Sequence, residues 1–347
     1  MRRKLKVGIA GYGVVGERRH KYIQLHPDLE VVAVCDQKFL SSKKSEDGIK
    51  YYNKHQSLLS EGLDILFVCM PNDIASKVTI SGLESGANVF CEKPPGRTVK
   101  DILRVMEVEK KNPSLKLKYG FNHRYHDSVR EALSLIRSGE LGSVINMRGL
   151  YGKSKFISFG KQSDWRVSRE IAGGGILLDQ GIHMVDLMRL FGGEFNEVHS
   201  FISNSFWNHD VEDNAYVLMR SDQGVVAMLH STATQWRHRF SLDITLQKGA
   251  VSLAGILTGS KSYGMETMTV IWANDDDMGD PKEEIYNYEI DSSWADEINE
   301  FVESIIAKKP INDGTSSDAL STMRLVEKIY CSDEEWLKKW GLTLTNF

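Results

Sequence analysis

Lys4-Leu5-Lys6-Val7-Gly8-Ile9-Ala10 followed by Gly11-Tyr12-Gly13-Val14-Val15-Gly16 is the stretch on which the fold turns. The first seven residues are a short, mostly apolar run with β-branched members, the pattern of a buried strand. The next six have the form G-x-G-x-x-G. A helical stretch follows, Val14 to Leu25, stopped by His26-Pro27. Each glycine has its own task. Gly11 permits a tight strand-to-helix turn, and Gly13 presents no side chain to a pyrophosphate. Gly16 lets the helix pack close to the strand. Phosphates would then meet the unpaired N–H groups of the helix start, reached through Val14 and Val15 and favoured by the helix dipole. A second strand, Glu30-Val31-Val32-Ala33-Val34-Cys35, ends at Asp36, 20 residues beyond Gly16. That is the spacing of an acid on the adenosine ribose 2′-OH. A carboxylate there repels a 2′-phosphate, so NAD is expected over NADP. Lys38 lies nearby and softens the preference.

Working outward, 347 residues are enough for about two domains. Hydrophobic residues make up 41% and charged residues 26%, an ordinary globular balance. A formal net charge of −4 leaves no basic footprint, so nucleic acid is not an expected partner. The acidic run Asp275-Asp276-Asp277 reads as a solvated loop. The four cysteines, at 35, 69, 91 and 331, have no metal-ligand spacing, and the first three sit in or at the end of apolar strands. Buried thiols in a reducing cytoplasm are the expectation, with no metal. No apolar run reaches the ~18 residues that a membrane span needs. Arg2-Arg3-Lys4 before an apolar stretch is not taken for an export signal, because that stretch is the glycine motif itself.

The first 121 residues alternate strand and helix. After Asp36 a polar helix or loop is expected. Asp64 to Cys69 is a continuous apolar run, as a strand buried on both faces should be, and Met70-Pro71-Asn72 stops it. A helix from Ile74 to Ser85 leads to the strand Asn88 to Cys91, which enters Glu92-Lys93-Pro94-Pro95-Gly96. A helix from Val99 to Lys111 and a strand from Leu115 to Gly120 complete this half. Such alternation indicates a doubly wound parallel sheet with ligands at the carboxyl ends of its strands. Gly11, Asp36, Pro71, Asn72, Glu92, Lys93 and Asn122 all fall there. From residue 122 onward the pattern changes: a helix (128–138), a strand (144–151), an irregular polar stretch (152–172), and three glycines (173–175). A long helix from Ile176 to Phe191 follows, then strands at 197–203, 215–220, 225–232, 241–247, 268–273 and 284–290. Helices at 295–308, 316–331 and 334–340 end the chain. Strands in series indicate an open, mostly antiparallel sheet with helices on one face, leaving the other free for a second subunit.

Two short stretches carry the chemistry. In Glu92-Lys93-Pro94 a lysine stands at a buried strand end, where its ammonium can donate to a substrate oxygen. Burial and a nearby nicotinamide cation would lower its pKa. In Asp179-Gln180-Gly181-Ile182-His183 the acid and the histidine are spaced i, i+4, on one face of a regular helix. His183 can accept an alcohol proton near neutral pH, and Asp179 can orient it or bind a neighbouring hydroxyl. The glycines at 173–175 let a ligand or another segment approach closely. Asn122 and Arg124 should face the cleft, and Trp165-Arg166 lies just before the glycines. An arginine there can hold an anion bidentately. Tyr151, Lys153 and Trp236 are weaker candidates. Trp207-Asn208-His209-Asp210 has only two plausible metal ligands and reads as a loop.

Over nearly its whole length the chain resembles the Gfo/Idh/MocA oxidoreductases. The resemblance rests on GYGVVG, MPN, CEKPPG, GFNHRY, GGGILLDQGIHMVDLMRLFGG and WADEINEFVESI. It implies a Rossmann domain (1–121), then an α+β domain (122–347) whose open sheet often forms a subunit interface. Lys93 then corresponds to the family's EKP lysine, and Asp179 and His183 to its D-x-x-x-H pair. Trp165-Arg166 resembles a substrate loop. Many members carry a histidine after the Pro-Asn pair, where this chain has Ala75 or Ser76. The reading is an NAD-dependent dehydrogenase of a sugar, inositol or sugar nucleotide, with Lys93, Asp179 and His183 as catalytic residues. It is expected to be cytoplasmic and a homodimer or homotetramer. Two rivals are a glycoside hydrolase working by transient oxidation and elimination, and a catalytically silent sensor.

Overall fold

The computed structural model describes residues 3–40, 43–46, 48–157, 165–274, 276 and 278–345. Residues 158–164 of the irregular polar stretch, and Asp275 and Asp277 of the acidic run, lie outside the described residues.

The first half forms β1 (Leu5–Ala10), α1 (Val14–Leu25), β2 (Leu29–Cys35), β3 (Lys43–Lys44), β4 (Lys50–Tyr52) and α2 (His55–Leu59). It continues with β5 (Ile65–Val68), α3 (Asn72–Glu84), β6 (Asn88–Glu92), α4 (Val99–Lys111) and β7 (Leu117–Gly120). The sheet order is β3-β4-β2-β1-β5-β6-β7, and every pairing except β3 with β4 is parallel. The chain winds outward from β1 on one side, then crosses to β5 on the other. A crevice for a ligand therefore opens beyond the carboxyl end of β1. The stretch after Asp36, expected as helix or loop, instead supplies β3, β4 and α2. β4 is Lys-Tyr-Tyr, too short and too polar to show a strand pattern, and its pairing with β2 makes it a strand.

The second half begins with a 3-10 turn (Asn122–Tyr125), α5 (Asp127–Ser138), β8 (Val144–Gly152), a 3-10 turn (Trp165–Val167) and α6 (Arg169–Ala172). A π-helical turn (Leu177–Gly181) runs into α7 (Ile182–Gly192). The strands are β9 (Phe195–Ser203), β10 (Asn214–Ser221), β11 (Val226–Thr232), β12 (Arg239–Leu246), β13 (Gly249–Ala254), β14 (Glu266–Trp272) and β15 (Lys282–Tyr288). The last helices are α8 (Ser293–Ile306), α9 (Ser316–Ser332) and α10 (Glu334–Trp340). The second sheet, β15-β14-β13-β12-β8-β11-β10-β9, is antiparallel except for β11 beside β8. The expected sheet of this half is present, with β13 and α6 as additions.

Burial alternates along β10, with Ala215, Val217 and Met219 inside and Tyr216 and Leu218 outside, the period-2 signature of a sheet covered on one face. Helices α5, α7 and α9 supply that cover. The opposite face bears an apolar groove that includes Phe201, Tyr216, Leu218 and Met228. Helix α8 returns to the first sheet. Its Ile298, Phe301 and Val302 join Phe67 and Phe90 in one core. There Arg19, fully buried, bonds Glu92 Oε1 at 2.5 Å and Glu297 Oε2 at 2.7 Å. No described helix is long and apolar enough to cross a membrane.

Candidate active site

The glycine motif behaves as its spacing demands. Gly11 has φ +88°, and a Cβ on it would stand 2.2 Å from the Cys69 carbonyl oxygen. A Cβ on Gly16 would stand 2.0 Å from the Gly11 carbonyl oxygen. A Cβ on Gly13 would meet no protein atom within 4 Å. Gly13 and Val14 are exposed, Val15 is half-buried, and no side chain caps α1. Its first-turn N–H groups are thus open to an anion. Asp36 stands at the end of β2. Its Oδ2 accepts the Tyr12 N–H at 2.8 Å and its Oδ1 the Lys38 N–H at 3.0 Å. Lys38 Nζ folds onto the Tyr12 carbonyl at 2.5 Å and reaches Glu17 at 3.2 Å. These residues fit a nicotinamide dinucleotide: an open backbone cradle, an uncapped helix start and a carboxylate at the ribose end.

The other strand ends diverge. Pro71 precedes α3, and the buried Asn72 amide donates to the Ala172 carbonyl at 2.8 Å, tying the two halves together. Ala75 and Ser76 are buried on α3. Glu92, expected near the cofactor, commits its carboxylate to Arg19, so only its backbone remains for that role.

Lys93 crosses to the second half, where its Nζ donates to the Asp179 backbone carbonyl at 2.5 Å. Burial lowers its pKa, against the opposing pull of Asp179 and Glu92. Asp179 lies in the π-helical turn, whereas His183 lies in the first turn of α7. Its carboxylate does not meet His183. Oδ1 faces Arg166 Nε at 3.5 Å, and Oδ2 is buried with no hydrogen-bond partner. Arg166 in turn covers the Trp165 ring at 4.4 Å. Of the two roles expected for Asp179, orienting the imidazole finds no contact to support it.

His183 is buried, and its Nδ1 has no hydrogen-bond partner. Its ring lies face to face on that of His123, with centroids 3.7 Å apart and planes 12° apart. Burial, with His123, Lys93 and His126 nearby, pushes its pKa well below the ordinary histidine value. It is therefore neutral, not poised at neutrality as expected. Lys153, at the end of β8, has its pKa lowered to about 8, chiefly by burial, with Lys93 and Arg166 adding to this and Asp179 opposing it. Lys93 thus meets the Asp179 backbone carbonyl and Arg166 its carboxylate, whose charge also acts on Lys153.

Arg124 does not face the cleft. It pairs with Asp186 through two bonds at 2.7 and 2.8 Å and reaches Asp313 and Asp318, a buried tie between α7 and α9. Asn122 is nearly buried, bonded to Ser293 Oγ and His123 Nδ1, each at 3.2 Å. The three glycines admit protein segments. Cβ atoms on Gly173, Gly174 and Gly175 would strike Arg97, Tyr330 and Glu212. Buried Glu212 takes the Gly175 and Leu177 N–H groups at 2.8 and 3.0 Å, capping the π-helical turn.

His123 is not among the expected site residues, although it sits within GFNHRY at a strand end and falls under the same rule as Asn122. Glu212 and Tyr263, whose hydroxyl bonds Gln180, lie in irregular segments and carried no signal. Trp236 lies on an exposed loop. Among the described residues no group of three or more His, Cys, Asp or Glu could hold a metal.

Residues 5–121 match the model of an oxidoreductase family with an NAD-binding Rossmann fold, and residues 129–252 that of the GFO/IDH/MocA C-terminal domain. The chain belongs to the GFO/IDH/MocA oxidoreductase family. It is similar to D-glucoside 3-dehydrogenase of Escherichia coli (strain K12), 31% identical over 216 residues. That alignment spans 58% of each chain, less than two thirds of the relative's length. It is 24% identical over 267 residues to inositol 2-dehydrogenase of Salmonella paratyphi B, covering 74% of this chain and 76% of that one. Its fold is that of levoglucosan dehydrogenase solved with NADH: TM-score 0.83, 18% identity, 96% of this chain and 98% of the other.

Proposed function

We propose that this oxidoreductase interconverts a secondary alcohol and a ketone on a sugar, cyclic polyol or glycoside, with NAD as cofactor. The observation that carries the reading is the meeting of Lys93 from the first half with Asp179 from the second, Nζ to carbonyl at 2.5 Å. Beside it are two buried polar atoms that lack partners, Asp179 Oδ2 and His183 Nδ1. When bound, the nicotinamide supplies the hydride acceptor. Lys93 donates to the substrate oxygen and stabilises the charge that develops on it. Neutral His183 takes the hydroxyl proton, and Asp179 holds a neighbouring hydroxyl. Trp165, Arg166 and Lys153 line the substrate side. Gly11, Gly13, Val14, Val15, Gly16 and Asp36 would hold the dinucleotide, together with Pro71, Asn72 and the backbone at Glu92.

The activities named for the glucoside, inositol and levoglucosan dehydrogenases support this substrate class. Hydrolysis by oxidation and elimination is not favoured. The free face of the second sheet, with Phe201, Tyr216 and Met228 exposed, suits a second copy of the chain in a homodimer or homotetramer. Four free thiols suit the cytoplasm. The test is a panel of inositols, free sugars, alkyl glucosides and sugar nucleotides with NAD and NADP, read by NADH absorbance. On the best substrate His183→Ala should lower kcat by about 10²–10⁴-fold while NAD affinity holds. Unchanged kcat would remove His183 from the mechanism.

A further inference from the structure

His183 needs something to hold it, because the acid four residues earlier does not touch it. The contact it does make is with His123. The two rings lie 3.7 Å apart and 12° from parallel, both buried. His123 is itself fixed on two sides. Its Nε2 meets the Tyr151 hydroxyl at 3.0 Å and its Nδ1 meets Asn122 Oδ1 at 3.2 Å. Asn122 is held in turn by Ser293 at the start of α8. One ring face of His123 thus comes from the end of β7 and its edges are anchored to β8 and α8. An imidazole stacked on an anchored ring has lost rotation about χ2, the freedom that would otherwise swing its nitrogens off the substrate.

We propose that His123 is a positioning residue for the reaction: its anchored ring fixes the plane of His183 and keeps water from the buried face of that imidazole. This rests on the role given above to His183. It assigns to a stacking contact the task that a carboxylate hydrogen bond would ordinarily perform for a catalytic histidine. The arrangement also disfavours charge on His183. The titratable groups that act on it are His123, His126 (paired with Glu266 Oε2 at 2.7 Å) and Lys93 beyond β6. Asp179, Arg166 and Lys153 act on Lys93, and Tyr151 bonds His123. Two imidazoles in contact with an ammonium nearby cannot both be protonated cheaply. His183 is therefore presented neutral, as an acceptor must be.

The test compares two substitutions that divide the contacts of His123. His123→Phe keeps the stacked ring and loses the bonds to Tyr151 and Asn122. His123→Gln keeps a polar group and loses the ring. With methyl glucoside, myo-inositol or whichever panel sugar is turned over, H123F, which keeps the stacked ring but not its anchors, should lower kcat by a smaller factor than H123Q does. H123Q should lose about 10–100-fold in kcat with little change in NAD affinity, the scale of a misplaced catalytic group. Independently of turnover, NMR titration of labelled histidine in the NADH-bound protein should find His183 titrating well below the ordinary range in wild type and closer to it in H123Q. Equal kcat losses in the two variants, or a greater loss in H123F, would overturn the proposal. So would an unchanged His183 titration in H123Q. If no sugar is oxidised, the titration still decides on His123, and the loss falls on the dehydrogenase reading alone. Should H123Q fail to fold, H123A takes its place with the same expected outcomes.

Discussion

Alanine at Gly13 separates the tasks of the three glycines, which look alike in the sequence. The Cβ of Gly13→Ala would meet no protein atom within 4 Å, and the backbone there, φ −86° and ψ −162°, is open to any residue. Alanine gains about 0.4–1 kcal/mol by narrowing the unfolded ensemble and gives back a similar amount as a poorer helix cap. Stability should stay within about 1 kcal/mol of wild type. Gly16→Ala is different. Its Cβ would sit 2.0 Å from the Gly11 carbonyl oxygen, and a backbone atom cannot turn aside. Overpacking of this kind costs about 1–3 kcal/mol and often more. Gly11→Ala meets the Cys69 carbonyl at 2.2 Å and adds a left-handed φ of +88°. What Gly13→Ala should lose is the dinucleotide. On the proposed reading, its methyl would crowd a pyrophosphate held by the first-turn N–H groups. Losing one charge-assisted hydrogen bond, about 1.5–3 kcal/mol, weakens NADH binding about 10- to 100-fold. Urea unfolding without cofactor and NADH fluorescence titration measure the two effects separately. NADH affinity within threefold of wild type in G13A, or unfolding of G13A as early as G16A, would refute the assignment.

If Lys93 donates to the substrate oxygen as proposed, Lys93→Met should lower kcat by about 10²–10³-fold with NAD affinity unchanged, in steady-state kinetics; a fall in KM alone would contradict it. Asp36→Ala removes the repulsion of a 2′-phosphate and should shift the NADP-to-NAD ratio of kcat/KM by about tenfold or more toward NADP. Arg19→Met strands Glu92 and Glu297 in the core. It should cost about 3–5 kcal/mol in urea unfolding, whereas Arg19→Met/Glu297→Leu should recover part of that. Stability should also fall with acid. His123 and His183 have folded pKa values well below the ordinary value, so below about pH 6.5 the unfolded chain binds protons that the folded chain refuses. Each contributes stability that is present in full above about pH 6.5 and is lost, at up to about 1.4 kcal/mol per pH unit, as pH falls toward the folded values. Unfolding free energies that stay level between pH 6.5 and 5 would show that these rings are not buried neutral.

What could be read from residue order was local and periodic. The glycine motif, the apolar runs at β1, β2, β5 and β6 and the Asp36 spacing are each set by neighbours in the chain, and so the first sheet was legible apart from β3 and β4. So was the alternation in β10, because one-sided burial imposes a period of two. Lys93, Asp179 and His183 could be picked out as residue types at strand and helix ends. Their relation to one another could not. A π-helical turn between Asp179 and His183 arises where buried Glu212 caps the Gly175 and Leu177 N–H groups, a contact across more than thirty positions. Arg124 looked like a cleft residue until Asp186, Asp313 and Asp318 converged on it from two helices and a loop. The same holds for Glu92, taken by Arg19, and for the stacking of His123 on His183. Pairings of charges and rings depend on which segments the two cores press together, a three-dimensional outcome that no window of sequence contains.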